Sequence, residues 1–316
     1  MPSLIGEMEK GGAVLTTRRK FIADSLMLGS AGTLAGCRTA EVPPVQEGDV
    51  LDAWQRETDE VTPEAYGAYM RGETGTGGLA SLIRLERGFD RILSEIDSAD
   101  VSAHPAVWMV YNMGVIVKTR ESLFSIDLVH RRAAELAPRL DFALITHNHD
   151  DHWREDFYRR MNGAGKTVIS NFLDNYGVKD WKANGGFTQA ERTFRIRDVE
   201  IRTSLVDHNP YLIDFTTAFE IRVGDWILYH TGDCGIASKL RTVWGRPDLW
   251  VAFPGCGVDI ADGERRVRPK LMAMGHLWEL GHRSGRLTTP MVRAAREKVR
   301  AEGGSVTIPL WGERIV

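Results

Sequence analysis

Residues 142–153, FALITHNHDDHW, place three histidines and two aspartates directly after a short apolar run. The apolar part, DFALIT, has the length and character of a buried strand, so the polar residues begin where that strand ends. A core cannot bury so many ionisable groups without partners. Imidazole and carboxylate groups are the usual ligands of catalytic divalent metal ions. The stretch therefore predicts a metal centre at the end of a strand.

The spacing inside this stretch predicts two metal ions. His147 and His149 are two residues apart, so on an extended segment they point to the same side and can chelate one ion. Asp151 and His152 follow where the loop should tighten into a helix, which would turn them toward a second ion. Two ions need more ligands than these four residues supply, so further ligands should lie at other strand ends.

Three residues in the second half of the chain have the required placement. His208 ends SLVDH, Asp233 lies in HTGDCG and His276 ends LMAMGH, and each follows an apolar, strand-like run. His282, six residues beyond His276, is a competing ligand. We prefer His276 because it directly ends the strand.

Strands and helices alternate along the chain, which predicts an α/β fold with layered packing. Residues 79–97 carry apolar residues at helical spacing, and a second helix should begin at Thr289-Pro290 and stop at Gly303-Gly304. Gly224-Asp225 separates two alternating runs and predicts a hairpin. Further strands are predicted within residues 106–119, 122–127, 141–146, 167–171, 194–208, 249–255, 270–276 and 305–310.

THNHDDH resembles the His-X-His-X-Asp-His signature of the metallo-β-lactamase superfamily, and TGDCG resembles its TGDTG element. The resemblance covers residues 106–311 and implies a four-layer αββα sandwich with the metals at one edge of the paired sheets. It implies two divalent ions, zinc first, with manganese or iron as alternatives. It also implies that Asp127, at the end of an earlier strand, orients a ligand imidazole. The implied ligands are His147, His149 and His208 for the first ion, Asp151, His152 and His276 for the second, and Asp233 as the bridge.

The activity that the resemblance implies is hydrolysis, in which a hydroxide between the ions attacks the substrate and Asp151 and Asp233 belong to the catalytic centre. The branch with lactonases and N-acylethanolamine phospholipase D-like enzymes is most similar, which favours a phosphodiester or a cyclic ester. The alternatives are an exported lactonase or β-lactamase and a metal-binding scaffold lipoprotein without turnover. The general acid stays open between Asn112, His282 and Arg283.

Three aromatic residues lie within three positions of a predicted ligand, namely Trp153, Tyr211 and Trp278. They predict either an aromatic wall of the substrate pocket or ordinary packing. Among the remaining histidines, His230 is expected to pack inside the protein, whereas His104 and His130 are expected on the surface or in connections.

The N-terminus predicts export. Residues 1–40 contain Arg18-Arg19 before a moderately apolar, small-residue stretch, as in a twin-arginine signal peptide. Leu34-Ala35-Gly36-Cys37 resembles a bacterial lipobox, which implies a lipid on Cys37 and a protein anchored on the periplasmic or cell-surface side of a membrane. Residues 41–50 should form a tether, and residues 51–316 a single hydrolase domain.

Composition limits the partners. The net charge of −3 lacks the basic surplus of nucleic-acid-binding proteins, so we expect a small-molecule or lipid-like substrate. The sequence does not indicate an oligomeric state. Without Cys37, two cysteines remain, Cys234 and Cys256, which either form a disulfide or stay free thiols.

Overall fold

A computed structural model of the chain describes residues 47–172, 191–282 and 286–316. The predicted signal peptide, Cys37 and Arg283 lie outside the described residues. Two β-sheets and the helices around them give the mixed α/β architecture that the sequence predicts.

The first sheet has the strand order β1-β2-β3-β4-β5. β1 to β3 pair antiparallel, whereas β3, β4 and β5 are parallel, so β3 and β4 end at the same edge. Its strands are nearly continuous apolar runs because both faces are covered. The bounds are β1 Ala106–Met109, β2 Val115–Lys118, β3 Leu123–Ile126, β4 Phe142–Leu144 and β5 Thr167–Ile169.

The second sheet has the order β12-β11-β10-β9-β8-β7-β6. β6 to β9 are antiparallel neighbours and β9 to β12 are parallel, so β7, β9, β10 and β11 all run in one direction and end at one edge. The bounds are β6 Thr193–Ile196, β7 Val199–Val206, β8 Thr216–Val223, β9 Trp226–His230, β10 Leu249–Ala252, β11 Leu271–Met274 and β12 Val306–Thr307.

Helices cover the sheets. α4 contacts β4 and β5 of the first sheet, α6 contacts β12 of the second, and α1 contacts both α3 and α6. The bounds are α1 Glu47–Asp59, α2 Pro63–Met70, α3 Ala80–Glu95, α4 Glu155–Gly163, α5 Ile260–Val267 and α6 Thr289–Ala301. No helix of the described residues is long and apolar enough to cross a membrane.

Several predicted elements are confirmed. α3 matches the predicted helix over 79–97 within two residues at either end, and Gly224 takes a positive φ of 60° in the predicted hairpin between β8 and β9. α6 begins at Thr289, with Thr288 rather than Thr289 as the N-cap.

Two predicted boundaries are wrong. α1 begins at Glu47, inside the predicted tether 41–50, because Leu51 and Trp54 bury their side chains in the core and so draw this segment into the domain. The predicted strand over 106–119 is divided into β1 and β2 by a turn, in which Asn112 has a φ of 51° and Val110 N–H donates to Gly114 O at 2.7 Å.

Candidate metal centre

The edge where β3, β4, β7, β9 and β11 end carries all the residues that the sequence predicts as ligands. The stretch 146–152 follows β4, whereas His208, Asp233 and His276 follow β7, β9 and β11 within two or three residues. The two sheets meet here, since Thr217 N–H donates to Thr146 O at 2.8 Å. The fold thus brings together residues that are up to 129 positions apart in the sequence.

The first group of side chains consists of three histidines. One ring nitrogen each of His147, His149 and His208 lies within 4.8 Å of the others. His147 Nε2 is 3.0 Å from His149 Nδ1. Burial lowers the pKa of His147 well below its usual value and also lowers the pKa of His149. Both rings are therefore neutral and keep a lone pair available for a cation.

The second group consists of Asp151, His152 and His276. Asp151 Oδ2 lies 2.8 Å from His276 Nε2 and 3.4 Å from His152 Nε2. Asn112 Nδ2 donates a hydrogen bond to the same carboxylate oxygen at 3.1 Å. This bond fixes the orientation of the Asp151 carboxylate near the end of residues 146–152, which we call the metal loop.

Asp233 lies between the two groups. Its Oδ1 is 3.3 Å from His152 Nε2, and its Oδ2 is 3.3 Å from His276 Nε2 and 3.6 Å from His208 Nε2. A single carboxylate therefore faces ligand atoms of both groups.

Opposite charges accumulate at the second group. Burial by itself would lower the pKa of His276, but the nearby Asp233 and Asp151 carboxylates raise it to about 10. His152 likewise has a pKa well above its usual value because Asp233, Asp151 and Asp127 outweigh its burial. The pKa values of Asp151 and Asp233 lie well below the usual range despite burial, since both face His152 and His276. Protons on these histidines thus supply the positive charge that a cation would replace.

Three buried atoms at the centre have no hydrogen-bond partner in the described part of the chain: His152 Nε2, His208 Nε2 and Asp233 Oδ1. Most buried polar atoms in proteins are hydrogen-bonded, so these three need an explanation. They lie close together, since His152 Nε2 is 3.3 Å from Asp233 Oδ1 and His208 Nε2 is 3.6 Å from the other oxygen of Asp233. Neutral imidazole and carboxylate groups are suitable donors for zinc, manganese or iron, so the residues present fit divalent metal ions.

Asp127 binds the first and last residues of the metal loop, Thr146 and His152. Its Oδ1 accepts from Thr146 N–H at 2.8 Å, and its Oδ2 accepts from Thr146 Oγ1 at 2.7 Å and from His152 Nδ1 at 2.9 Å. Thr146 Oγ1 is also 3.0 Å from His147 Nδ1. Asp127 therefore fixes the ring of His152 so that Nε2 faces Asp151 and Asp233. Sequence reasoning missed Thr146, although it directly precedes the motif.

The backbone around the centre is tightly packed. A Cβ atom on Gly235 would lie 2.3 Å from His208 O and 2.5 Å from Cys256 O. Asp127 and His276 take positive φ values of 47° and 57°, which cost energy for residues with a side chain and cluster at functional sites. This packing accounts for the glycine after the TGDC sequence.

The three predicted aromatic residues have different surroundings. Trp278 is 1% exposed and packs against Trp54 at 5.2 Å between ring centroids, so it belongs to the core and the pocket-wall interpretation is wrong for it. Tyr211 is 93% exposed and forms no wall. Trp153 is partly buried and lines a cavity of about 540 Å³ beside Asp150 of the metal loop.

Two aromatic residues that sequence reasoning missed contact the histidines. The ring of Phe215 lies 5.2 Å from that of His149 and 5.6 Å from that of His147. Phe253, which directly follows β10, stacks on His276 at 4.2 Å. Its position at a strand end was the available signal.

The structure also places the remaining histidines and cysteines for which the sequence made a prediction. His230 packs inside, with Nε2 2.8 Å from Met113 O, as predicted. His130 lies in the connection after β3, one of the two places predicted for it, but it is fully buried and stacks on Phe89. His104 is exposed. Cys234 and Cys256 are free thiols, which settles the choice that the sequence left open.

Comparisons with known proteins identify the fold. No protein-family model matches the chain, and no curated protein matches it. Igni18, a metallo hydrolase from the archaeon Ignicoccus hospitalis, superposes with a TM-score of 0.52 at 17% identity, over 67% of this chain and 97% of that one.

Two further solved structures are similar. A variant of the β-hydroxylase CmlA from Streptomyces venezuelae has a TM-score of 0.50 at 17% identity, over 77% of this chain and 61% of that one. The metallo-β-lactamase-fold protein YhfI from Bacillus subtilis has a TM-score of 0.48 at 13% identity, over 65% and 91%. The two sheets, their flanking helices and the likeness to Igni18 together show that this chain has the metallo-β-lactamase fold.

Proposed function

We propose that this protein is a metal-dependent hydrolase with two metal ions, acting on a phosphodiester or a cyclic ester. The observation that carries the proposal is the position of Asp233, whose carboxylate faces His208 of one ligand group and His152 and His276 of the other. In this proposal His147, His149 and His208 hold one ion. The second ion is held by Asp151, His152 and His276, and Asp233 binds both.

Two divalent ions bound here would polarise the scissile group and supply an activated water at neutral pH. The chain's own residues set the geometry for this chemistry. Asp127 keeps Nδ1 of His152 protonated, so that Nε2 stays free to bind. Asn112 holds the Asp151 carboxylate through Nδ2. Phe215 and Phe253 pack against ligand rings and limit the access of bulk water.

The cavity of about 540 Å³ beside the metal loop supports a substrate with an apolar part. Tyr66, Met70 and Trp153 give it an apolar lining. The charges on its wall are mixed, since Arg71 and Arg154 are paired with acidic side chains and Asp150, Glu155 and Asp156 lie on the same wall. Ligand pockets commonly combine an apolar lining with a few polar groups in this way. The apolar lining suits the organic part of either a phosphodiester or a cyclic ester.

The same fold and ligand groups are compatible with activities other than phosphodiester hydrolysis. One structure with this fold is named as a β-hydroxylase, so the fold alone does not define hydrolysis. A lactonase or β-lactamase would use the same ligand groups on a cyclic substrate. A scaffold without turnover is disfavoured by the complete set of ligand residues.

The test uses the full chain, stripped of metal and reloaded separately with zinc and with manganese. We expect two ions per chain and hydrolysis of a chromogenic phosphodiester, with the rate reduced at least about a hundredfold by Asp151→Ala. Asp198→Ala is the matched control, because this carboxylate binds Ser122 Oγ at the opposite edge of the sheets. Two bound ions without turnover on phosphodiester, lactone or lactam substrates would contradict the proposal.

We further propose that the chain is exported by the twin-arginine route and anchored through a lipid on Cys37, as Arg18-Arg19 and the lipobox-like sequence suggest. The protein should then be recovered with membranes. Cys37→Ser should release it into the soluble fraction, and an unchanged distribution would contradict the anchor.

A further inference from the structure

A histidine and a buried glutamate form a pair at the rim of the metal centre. They lie in the loop that follows His276, beyond the ligand groups. The side chain of Glu279 is 3% exposed, whereas that of His282 is 45% exposed. His282 Nδ1 lies 2.9 Å from Glu279 Oε2. The pair thus connects the interior of the protein to the open side of the site.

The loop holds Glu279 in one orientation. Its carboxylate accepts hydrogen bonds from the backbone N–H groups of Gly281 and His282, the latter at 2.8 Å. The intervening Leu280 N–H donates to the buried Tyr111 hydroxyl at 2.7 Å. A carboxylate can only accept, so the bond to His282 requires a proton on Nδ1. The free nitrogen of the ring, Nε2, must therefore face away from Glu279.

His282 Nε2 faces the metal loop. It lies 3.4 Å from Asp150 Oδ1, and ligand-type atoms of His282, Asp150 and Asp151 all lie within 4.8 Å of one another. The hydrogen bonds to Asp150 and Glu279 raise the pKa of His282 to about 10, against the opposite effect of its partial burial. A ring with this pKa carries a proton on each nitrogen at neutral pH, and Nε2 is the one beside Asp150 of the metal loop.

We propose that His282 is the general acid of this site, protonating the leaving oxygen of the substrate from Nε2, and that Glu279 is the positioning residue that fixes its ring. The proposal rests on the hydrolase function proposed above. An oriented carboxylate–imidazole pair with its second nitrogen toward the reaction centre is a standard arrangement for proton transfer. Asn112, the other described candidate for the general acid, is less suitable. Its side chain is 2% exposed, and its Nδ2 already donates to Asp151.

The oxygen of water bonds to the phosphorus or acyl carbon, and the bond to the leaving oxygen breaks with its electron pair on that oxygen. His282 Nε2 gives its proton to this oxygen, which leaves as a hydroxyl group. The neutral ring then takes a proton from solvent through its exposed edge, which replaces the proton that the water released.

The experiment compares two phosphodiesters that differ only in the leaving group, 4-nitrophenol or the more basic phenol. His282→Ala should lower kcat/KM for the phenyl ester by about 100-fold or more, and for the 4-nitrophenyl ester by less than about tenfold, because a good leaving group needs no proton. Glu279→Gln should show the same contrast with smaller losses. His104→Ala, an exposed histidine before β1, is the matched control and should change neither rate. Equal losses on both esters would overturn the proposal.

Two readouts do not depend on turnover. The metal content of His282→Ala should equal that of the wild type, and loss of an ion would make His282 a ligand and overturn the proposal. Nitrogen-15 NMR of the imidazoles should show a proton held on His282 Nδ1 in the wild type and released in Glu279→Gln. If the wild type binds two ions but hydrolyses nothing, the proposed function fails. The NMR result then still decides whether Glu279 positions His282, and an unchanged spectrum would reject that role.

Discussion

Replacing Asp127 with asparagine should weaken the binding of one metal ion and leave the other nearly unchanged. Asp127 binds His152 directly, whereas it reaches His147 only through Thr146. His152 belongs to the second ligand group, with Asp151 and His276. The substitution keeps the size of the side chain, so the effect should come from the changed hydrogen bonds and from the lost carboxylate charge beside His152.

The magnitude follows from the two orientations that the new amide can take. With its NH₂ toward Thr146 N–H, one buried donor loses its partner, which costs about 1–3 kcal/mol. With its NH₂ toward His152, the ring must accept at Nδ1 and carry its proton on Nε2, the atom that should bind the ion. The asparagine can present Nε2 of His152 to the ion only in the first orientation, which gives up the bond to Thr146. At about 1.4 kcal/mol per tenfold change, this cost lowers the affinity for the ion roughly tenfold to hundredfold.

The assay is competition with a chromophoric chelator, which resolves two binding steps in the wild-type chain. Only one step should shift in Asp127→Asn. Asp198→Asn makes the same chemical change at the opposite edge of the sheets, where the carboxylate binds Ser122 Oγ at 2.7 Å, and should shift neither. If Asp127→Asn binds both ions as the wild type does, Asp127 does not orient His152 for metal binding and the reasoning is refuted.

Three further predictions concern protonation, packing and burial. Zinc added at about pH 8 to the metal-free chain should release protons from His276, because this ring has a pKa of about 10 and is protonated at pH 8. The affinity for zinc should therefore rise as the pH is raised toward 10. A pH-indicator titration in which His276→Gln releases as many protons as the wild type would disprove this. Gly235→Ala should lower the free energy of unfolding by about 1–3 kcal/mol in denaturant titrations, since the new Cβ would overlap His208 O. Gly163→Ala, at the end of α4, is the control and should not lower it, because a Cβ there has no atom within 4 Å. Equal effects of the two substitutions would contradict the packing argument. Trp278→Ala should cost about 3–5 kcal/mol in the same assay and Tyr211→Ala less than about 0.5 kcal/mol, and a reversed order would contradict the assignment of Trp278 to the core.

Local features of the fold and site could be read from the sequence. The position of the metal loop after β4, the hairpin at Gly224 and the extent of α3 all follow from patterns within a few neighbouring residues. Side-chain period and turn chemistry act over that range, so a single segment contains the information. The boundary at α1 was missed because its helix is stabilised by burying Leu51 and Trp54 against distant parts of the chain.

The sequence by itself determined which chemical groups are available: imidazoles and carboxylates at strand ends, spaced so that neighbours in the metal loop share a direction. Only the tertiary structure decided how they combine. The order of strands brings Asp233 between the two ligand groups, sets His276 at 2.8 Å from Asp151, and buries Trp278. The physical reason is that the order of the strands determines which strand ends meet at one edge of the sheets. This meeting sets the distances between residues far apart in the chain and the burial of each side chain. No local sequence pattern specifies it.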